Sequence, residues 1–299
     1  MIGADALRGV EFVKMTGSGN DFVFFDGRST PVDLLTSPDV IAAICNRHNG
    51  IGADGIVILS PASKESDIPA GAAIGAGSES ADALIRYFNS DGSPADLCGN
   101  ATLCSSRLAV ELGLADADSM GLLTPAGVIR ARLEDTGPEI DLQPVAGVVV
   151  DVAGIEREAG ETRVGFAVAG IPHLVVLCDD AEQVGVPGRG PGLRRHVALG
   201  AAGANVNWVS ARADGTWRYR TFERGVEGET LACGTGAVAT AVLLDAWGLA
   251  TAPVTVRSSS GRDLAVRFRD AMRYSGVWQP SLRGEGRVTF RGRIATLII

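Results

Sequence analysis

Short apolar runs broken by glycine-rich turns dominate this chain, a pattern that predicts many strands and few helices. Residues 10–15 predict the first strand and Gly17-Ser18-Gly19-Asn20 a turn. Residues 21–26 (DFVFFD) predict a buried strand, rich in aromatic and β-branched side chains. A helix is predicted over 39–45, then strands over 56–59 and 85–88, the latter running into the turn 89–93. Residues 60–83 are rich in Ala, Gly and Ser without periodicity, as expected of a surface insertion. A long helix over 99–112 follows, stopped by Gly113. Strands are predicted over 127–133, 139–142 and 147–152. The second half repeats the style. Strands over 163–168 and 174–178 flank Gly170-Ile171-Pro172-His173, and further strands lie over 204–210 and 217–223. A helix over 235–247 ends at Gly248, and strands over 254–257, 264–268 and 286–298 close the chain.

One unit occurs twice within this pattern. Cys98-Gly99-Asn100-Ala101 opens the first long helix and Cys233-Gly234-Thr235-Gly236 the second. A leucine follows each cysteine at ten residues (Leu108, Leu243) and a Gly-Leu pair at fifteen and sixteen (Gly113-Leu114, Gly248-Leu249). Phe88 and Phe222 precede them by ten and eleven residues, and Gly127 and Gly261 follow at 29 and 28. Two α+β halves, each with one long helix among many strands, are expected. Two thiols from two related halves suggest one substrate with a sulfur on either side.

Composition narrows the classes. At 299 residues and 46% hydrophobic content the chain can build two cores. A net charge of −8 with no Lys/Arg run argues against a nucleic-acid partner. No apolar stretch reaches the ~18 residues that span a membrane, and the N-terminal segment has no apolar export core. Five cysteines without a Cys-x-x-Cys spacing fit neither a disulfide framework nor a zinc site. Reduced thiols in the cytoplasm are expected. Cys45, Cys104 and Cys178 read as small core residues, His48 and His196 as structural or surface histidines, and Asp21 and Asp54 as turn residues.

The chemistry follows from where the two thiols sit. A helix start carries about half a positive charge and open N–H groups, so a cysteine there favours its thiolate. Gly99 and Gly234 let a ligand approach the backbone, and the same N–H groups bind a carboxylate. Such a pair suits inversion at a carbon bearing hydrogen: one thiolate removes the α-proton and the other thiol protonates the opposite face. The helix ends would stabilise charge building on the carboxylate, with no pyridoxal lysine required.

These segments resemble the diaminopimelate epimerase family over nearly the whole chain. The motifs are Met15-Thr16-Gly17-Ser18-Gly19-Asn20-Asp21-Phe22, Gly50-Ile51-Gly52-Ala53-Asp54-Gly55, Phe88 to Ser93 through Cys98-Gly99-Asn100, and Glu223-Arg224-Gly225 through Ala232 to Ala237. The resemblance implies a cofactor-independent two-base epimerase acting on LL- and meso-diaminopimelate. It implies two pseudo-symmetric α+β domains, residues 1–143 plus 285–299 and residues 144–284, each a mostly antiparallel, barrel-like sheet around a long central helix. It implies that Cys98 and Cys233 are catalytic. Gly99, Asn100, Gly234 and Thr235 would hold the reacting carboxylate, and Asn20, Asn89 and Asn205 would be substrate-binding amides. Arg224 would take the distal carboxylate, Glu223 the distal ammonium, and His173 with Glu223 would tune the cysteines. No metal is implied; the partner is a small amino-acid substrate, and a homodimer is left open.

Plainer readings stand beside these. Asn20 and Asn89 can serve only as turn formers, Asn205 as a strand end, Glu223-Arg224 as a solvated pair and His173 as a structural histidine. The chain also departs from the family. Its Gly-Asn-Pro-His motif reads Gly170-Ile171-Pro172-His173, replacing an amide by an apolar wall, and its first cysteine loop reads Cys98-Gly99-Asn100-Ala101-Thr102-Leu103-Cys104, without the second glycine and arginine. The 60–83 insertion is a third departure. Two rival readings therefore stay open: a racemase for another amino acid, and a non-catalytic ligand-binding or thiol-redox protein.

Overall fold

Ser18 and Gly19, both at positive φ, turn β1 (Glu11–Gly17) into the antiparallel β2 (Asn20–Asp26). The computed structural model describes residues 6–62, 81–95, 97–269 and 275–298. The chain divides into two units, one running to residue 140 and resuming at 285, the other spanning 141–284.

In the first unit α1 (Val32–Leu35) and α2 (Pro38–Cys45) cross from β2 to β3 (Gly55–Pro61), which is parallel to it. A parallel pair needs such a crossover. β4 (Ala83–Asn89) returns antiparallel, α3 (Gly99–Glu111) crosses to the parallel β5 (Met120–Thr124), and β6 (Gly127–Glu134) and β7 (Gly137–Asp141) complete a meander. Alternation sorts the side chains of β2. Val23 and Phe25 join Leu35, Val40, Ile41 and Ile44 under the short helices, with Ile56 and Ile58 of β3. Phe22 and Phe24 are also fully buried, so the strand is apolar on both faces. α3 packs against β1, β3, β4, β5 and β6.

The second unit repeats this order. β8 (Val145–Ala146) is a short ribbon strand. β9 (Glu161–Ala169) and β10 (Ile171–Cys178) pair antiparallel across Gly170. A 3-10 turn at Ala181–Gln183 and α4 (Val186–Arg194) cross to the parallel β11 (Asn205–Ala211). β12 (Trp217–Glu223) returns antiparallel and carries β13 (Gly228–Thr230). Then α5 (Gly234–Ala246) crosses to the parallel β14 (Val254–Arg257), followed by β15 (Asp263–Phe268), β16 (Val277–Trp278), which pairs with β8, and β17 (Pro280–Arg283). α5 is buried on almost every side, as a helix ringed by strands must be, and it touches β9, β10, β11, β14, β15 and β17. α4 plays the outer part that α2 plays in the first unit, laying Val186 and Leu193 on Leu174, Val176, Val206, Trp208 and Phe222. β18 (Arg287–Arg293) returns to the first unit and pairs with β1.

Several expected elements change. No strand runs over 147–152: β8 ends at Ala146, and one bridge joins Val149 to Phe166. The last strand stops at Arg293. Gly170-Ile171-Pro172-His173 is not a loop, because β10 begins at Ile171. Strands β5 and β17 and helix α4 were not expected. Five of the nine residues of the α4 segment VPGRGPGLR are Gly or Pro, the poorest helix formers. Tertiary contact decides it: a Cβ on Gly190 would lie 2.5 Å from the Phe222 ring, so only glycine allows that approach. Ser60 and Pro61 extend β3 and Ala83 opens β4, while residues 63–80 of the expected insertion lie outside the described residues. Among the described residues no helix is long and apolar enough to cross a membrane.

Candidate active site

Cys98 and Cys233 each occupy the residue before a 13-residue helix, with φ −131°, ψ 113° and φ −131°, ψ 112° respectively. Neither side chain caps its helix, which leaves the thiols turned to other partners. Both are free cysteines, Cys98 half-buried and Cys233 buried. The other three thiols behave as core groups. Burial pushes the Cys45 and Cys178 thiols up to about 12 and the Cys104 thiol higher still.

In the first unit Cys98, Gly99 and Asn100 share the start of α3 with Asn20 and Asn89. Asn100 Nδ2 donates to Asn20 Oδ1 at 2.7 Å, and Asn20 Nδ2 donates to Asp54 Oδ2 at 3.0 Å. Arg47 bridges Asp54 and Asp21, each at 2.7 Å, and Lys14 lies 2.7 Å from Asp21. Asp21 and Asp54 are thus more than turn residues: they anchor an ion-paired frame behind Asn20. Burial works to raise the Asp21 carboxyl, but hydrogen bonds from Arg47 and Lys14 outweigh it and hold the group below the usual range. Asn89 donates from Nδ2 to Ser93 Oγ at 3.0 Å and accepts at Oδ1 from the Tyr87 hydroxyl at 3.1 Å. The same hydroxyl hydrogen-bonds the Cys98 side chain, and burial holds the phenol far above its ordinary value. Asn100 Oδ1 is buried without a hydrogen-bond partner.

In the second unit Cys233, Gly234 and Thr235 open α5 beside Asn205, Glu223 and Arg224. Asn205 Nδ2 lies 3.8 Å from Cys233 Sγ, and its Oδ1 accepts from the Arg224 backbone N–H at 2.8 Å. Thr235 Oγ1 lies 3.4 Å from the same sulfur. Burial raises the Glu223 carboxyl, opposed by hydrogen bonds with Thr230 and Cys233. Among the described residues the half-buried Arg224 guanidinium has no ion-pair partner, which leaves its fork open to a carboxylate. His173 is fully buried, and burial, with the nearby Arg224 charge, brings its pKa down to about 3. Its hydrogen bond goes to Asn207, not to Cys233 or Glu223. Ile171 starts β10 half-buried and brings no polar atom.

Tyr87, Asp54, Arg47 and Asn207 were missed as parts of these clusters. Asn207 had a signal, since it repeats Asn205 two residues on and so shares its strand face. Tyr219 and Thr221 complete its setting. α5 approaches that setting closely enough that a Cβ on Gly236 would lie 2.3 Å from the Tyr219 hydroxyl oxygen and 2.5 Å from Asn207 Oδ1. His196 caps a 3-10 turn, its Nδ1 accepting from the Ala198 N–H at 3.3 Å. Among the described residues no group of three His, Cys, Asp or Glu side chains could hold a metal ion.

The diaminopimelate epimerase family profile matches residues 12–148 and 166–273. A Gemmatimonas aurantiaca protein named diaminopimelate epimerase is 58% identical over 293 residues, covering 96% of this chain and 100% of the relative. An Aquifex aeolicus protein of the same name is 33% identical over 298 residues, covering 97% and 99%. Among solved structures, a Bacillus anthracis phenazine biosynthesis protein of the PhzF family superposes with a TM-score of 0.69 at 13% identity, covering 96% of this chain and 99% of its own. That likeness concerns the fold.

Proposed function

The chain belongs to the diaminopimelate epimerase family, and from that premise we propose that it interconverts LL- and meso-diaminopimelate by proton transfer at one α-carbon. One of Cys98 and Cys233, as thiolate, takes the α-proton and becomes a thiol. The other, as thiol, gives its proton to the opposite face and becomes a thiolate. Configuration inverts, no atom is gained or lost, and the two sulfurs exchange protonation states. The α-hydrogen of an amino acid is a very weak acid, so the step needs strong stabilisation of charge on the carboxylate. Backbone N–H groups at the starts of α3 and α5, from Gly99 and Asn100 and from Gly234 and Thr235, are suited to supply it.

The remaining residues take binding roles in this reading. The open Arg224 fork receives the distal carboxylate and Glu223 the distal ammonium, while Asn20, Asn89 and Asn205 offer amides. Glu223, which hydrogen-bonds Cys233, conditions that thiol, whereas the hydrogen bond of His173 goes to Asn207 and leaves the ring to act on the ligand. The observation that carries the reading is the matched pair of N-cap cysteines, whose backbone angles agree to within a degree. A reducing cytoplasm, where both sulfurs stay thiols, is the natural setting.

Incubation in deuterated water tests it. LL- or meso-diaminopimelate should acquire solvent deuterium at one Cα, and Cys98→Ala or Cys233→Ala should each remove epimerisation by at least about a hundredfold. Deuterium entering a different amino acid while diaminopimelate stays untouched would sink the substrate assignment. Epimerisation that survives in either alanine variant would sink the two-thiol mechanism.

A further inference from the structure

The Asn207 side chain is fixed in one orientation by groups that allow no other. Its Nδ2 lies 3.0 Å from the Leu174 carbonyl oxygen, which can only accept, so that atom must be the NH2 nitrogen. Its Oδ1 accepts from the Thr221 hydroxyl at 3.0 Å and faces the Tyr219 hydroxyl at 3.2 Å. The second Nδ2 proton then points at His173 Nδ1, 3.2 Å away. A ring nitrogen facing an N–H donor cannot carry a proton of its own. A neutral imidazole has one bare and one protonated nitrogen, so the proton sits on Nε2.

We propose that Asn207 is a positioning residue that holds His173 as the neutral Nε2–H tautomer, so that the ring presents a hydrogen-bond donor, and no base, to an acceptor oxygen of a ligand bound beside Cys233. His173 Nε2 is buried and has no partner among the described residues, so the donor is in place and unused. His173 pairs in register with Asn205, whose amide reaches the Cys233 sulfur, which puts the ring on the strand ends that carry the thiol's neighbours. Burial, which brings the imidazole down to about 3, agrees with a ring that stays neutral. A buried N–H left without a partner is costly, and a carboxylate or other acceptor oxygen would satisfy it. The use of that donor rests on the epimerase reading; the tautomer does not.

The test is long-range proton–nitrogen NMR on resting, 15N-histidine-labelled protein, with the His48 and His196 signals assigned by His48→Gln and His196→Gln. His173 should show a protonated Nε2 and a bare Nδ1, unchanged from about pH 5 to about pH 8, where a free imidazole titrates. Asn207→Asp puts an acceptor opposite Nδ1 and should move the proton there or give a doubly protonated ring. A wild-type ring protonated at Nδ1, a mixture of tautomers, or an Asn207→Asp variant with the wild-type pattern would overturn the proposal. If Asn207→Asp does not fold, the wild-type pattern alone decides. Because no turnover is measured, a protein with the expected tautomer but no epimerase activity would sink the function and leave this inference standing.

Discussion

The side chains of Asn20 and Asn100 share a 2.7 Å hydrogen bond although 80 residues separate them, and Asp54 takes the other end of Asn20. The amide at the β1–β2 turn is therefore aimed by a fixed frame. Asp54→Ala should release it while leaving the Arg47–Asp21 pair intact. Asp54 is partly exposed, so the lost ion pair should cost less than about 1 kcal/mol of stability. Activity should suffer more, with kcat/KM falling about tenfold, because a displaced binding group loses about 1–2 kcal/mol of positioning. Urea unfolding and deuterium-exchange kinetics on the same variant separate the two effects, and equal losses in both would contradict the assignment.

Thiol reactivity should divide the cysteines. Cys98 is half-buried, whereas Cys45, Cys104 and Cys178 are buried with their thiols pushed far up. Iodoacetamide at neutral pH should modify Cys98 first and abolish activity in proportion, since the thiolate is the reacting species. The three core thiols should react only on unfolding. Intact mass and peptide mapping report this directly. A core thiol reacting as fast as Cys98 would mean the site has been misassigned.

Tyr87→Phe keeps the ring, which packs edge-on against Phe22 at 5.9 Å and 82°, and deletes the hydroxyl shared by Asn89 and Cys98. Loss of that hydrogen bond should lower kcat/KM about five- to thirtyfold, equivalent to about 1–2 kcal/mol. The melting temperature should stay within a few degrees. Unchanged kinetics would make Tyr87 a core residue only.

His173 makes stability depend on acid. The unfolded histidine titrates near about 6.5, whereas burial brings the folded one to about 3. Between those values the unfolded chain binds a proton that the folded chain refuses. The stabilisation is complete above the upper limit and is lost as pH falls through the window, by about 1.4 kcal/mol per pH unit. Glu223, whose carboxyl burial raises, acts in the opposite direction at and above the ordinary glutamate range, so the comparison needs a variant. His173→Gln should show a slope shallower than wild type by about one proton's worth between roughly pH 4 and roughly pH 6. Parallel urea-derived profiles would show that His173 is not the acid-sensitive group.

Much of this site is local and could be read from the chain. A residue that starts a helix is marked by its neighbours, so Cys98-Gly99 and Cys233-Gly234, with glycines ending both helices, placed the two thiols before any packing was known. The β1–β2 turn and the aromatic run of β2 were legible for the same reason, since alternation and turn chemistry act within a few residues. α4 was not, because its Gly- and Pro-rich segment is helical only against Phe222, and β5 (MGLLT) and β17 (PSLR) were not, because pairing with β4 and β6 and with β15 makes them strands.

The chain alone thus settled two helix-start cysteines on a repeated strand-and-helix unit, and with them the family. Folding settled which polar atoms meet. Asp54 reaches Asn20, and Asn207 reaches His173, across 34 residues in each case, because parallel strand pairs joined by crossovers put distant residues in register. Side-chain orientation and tautomer depend on all the partners of a buried group at once, and those partners come together only when the strands pair.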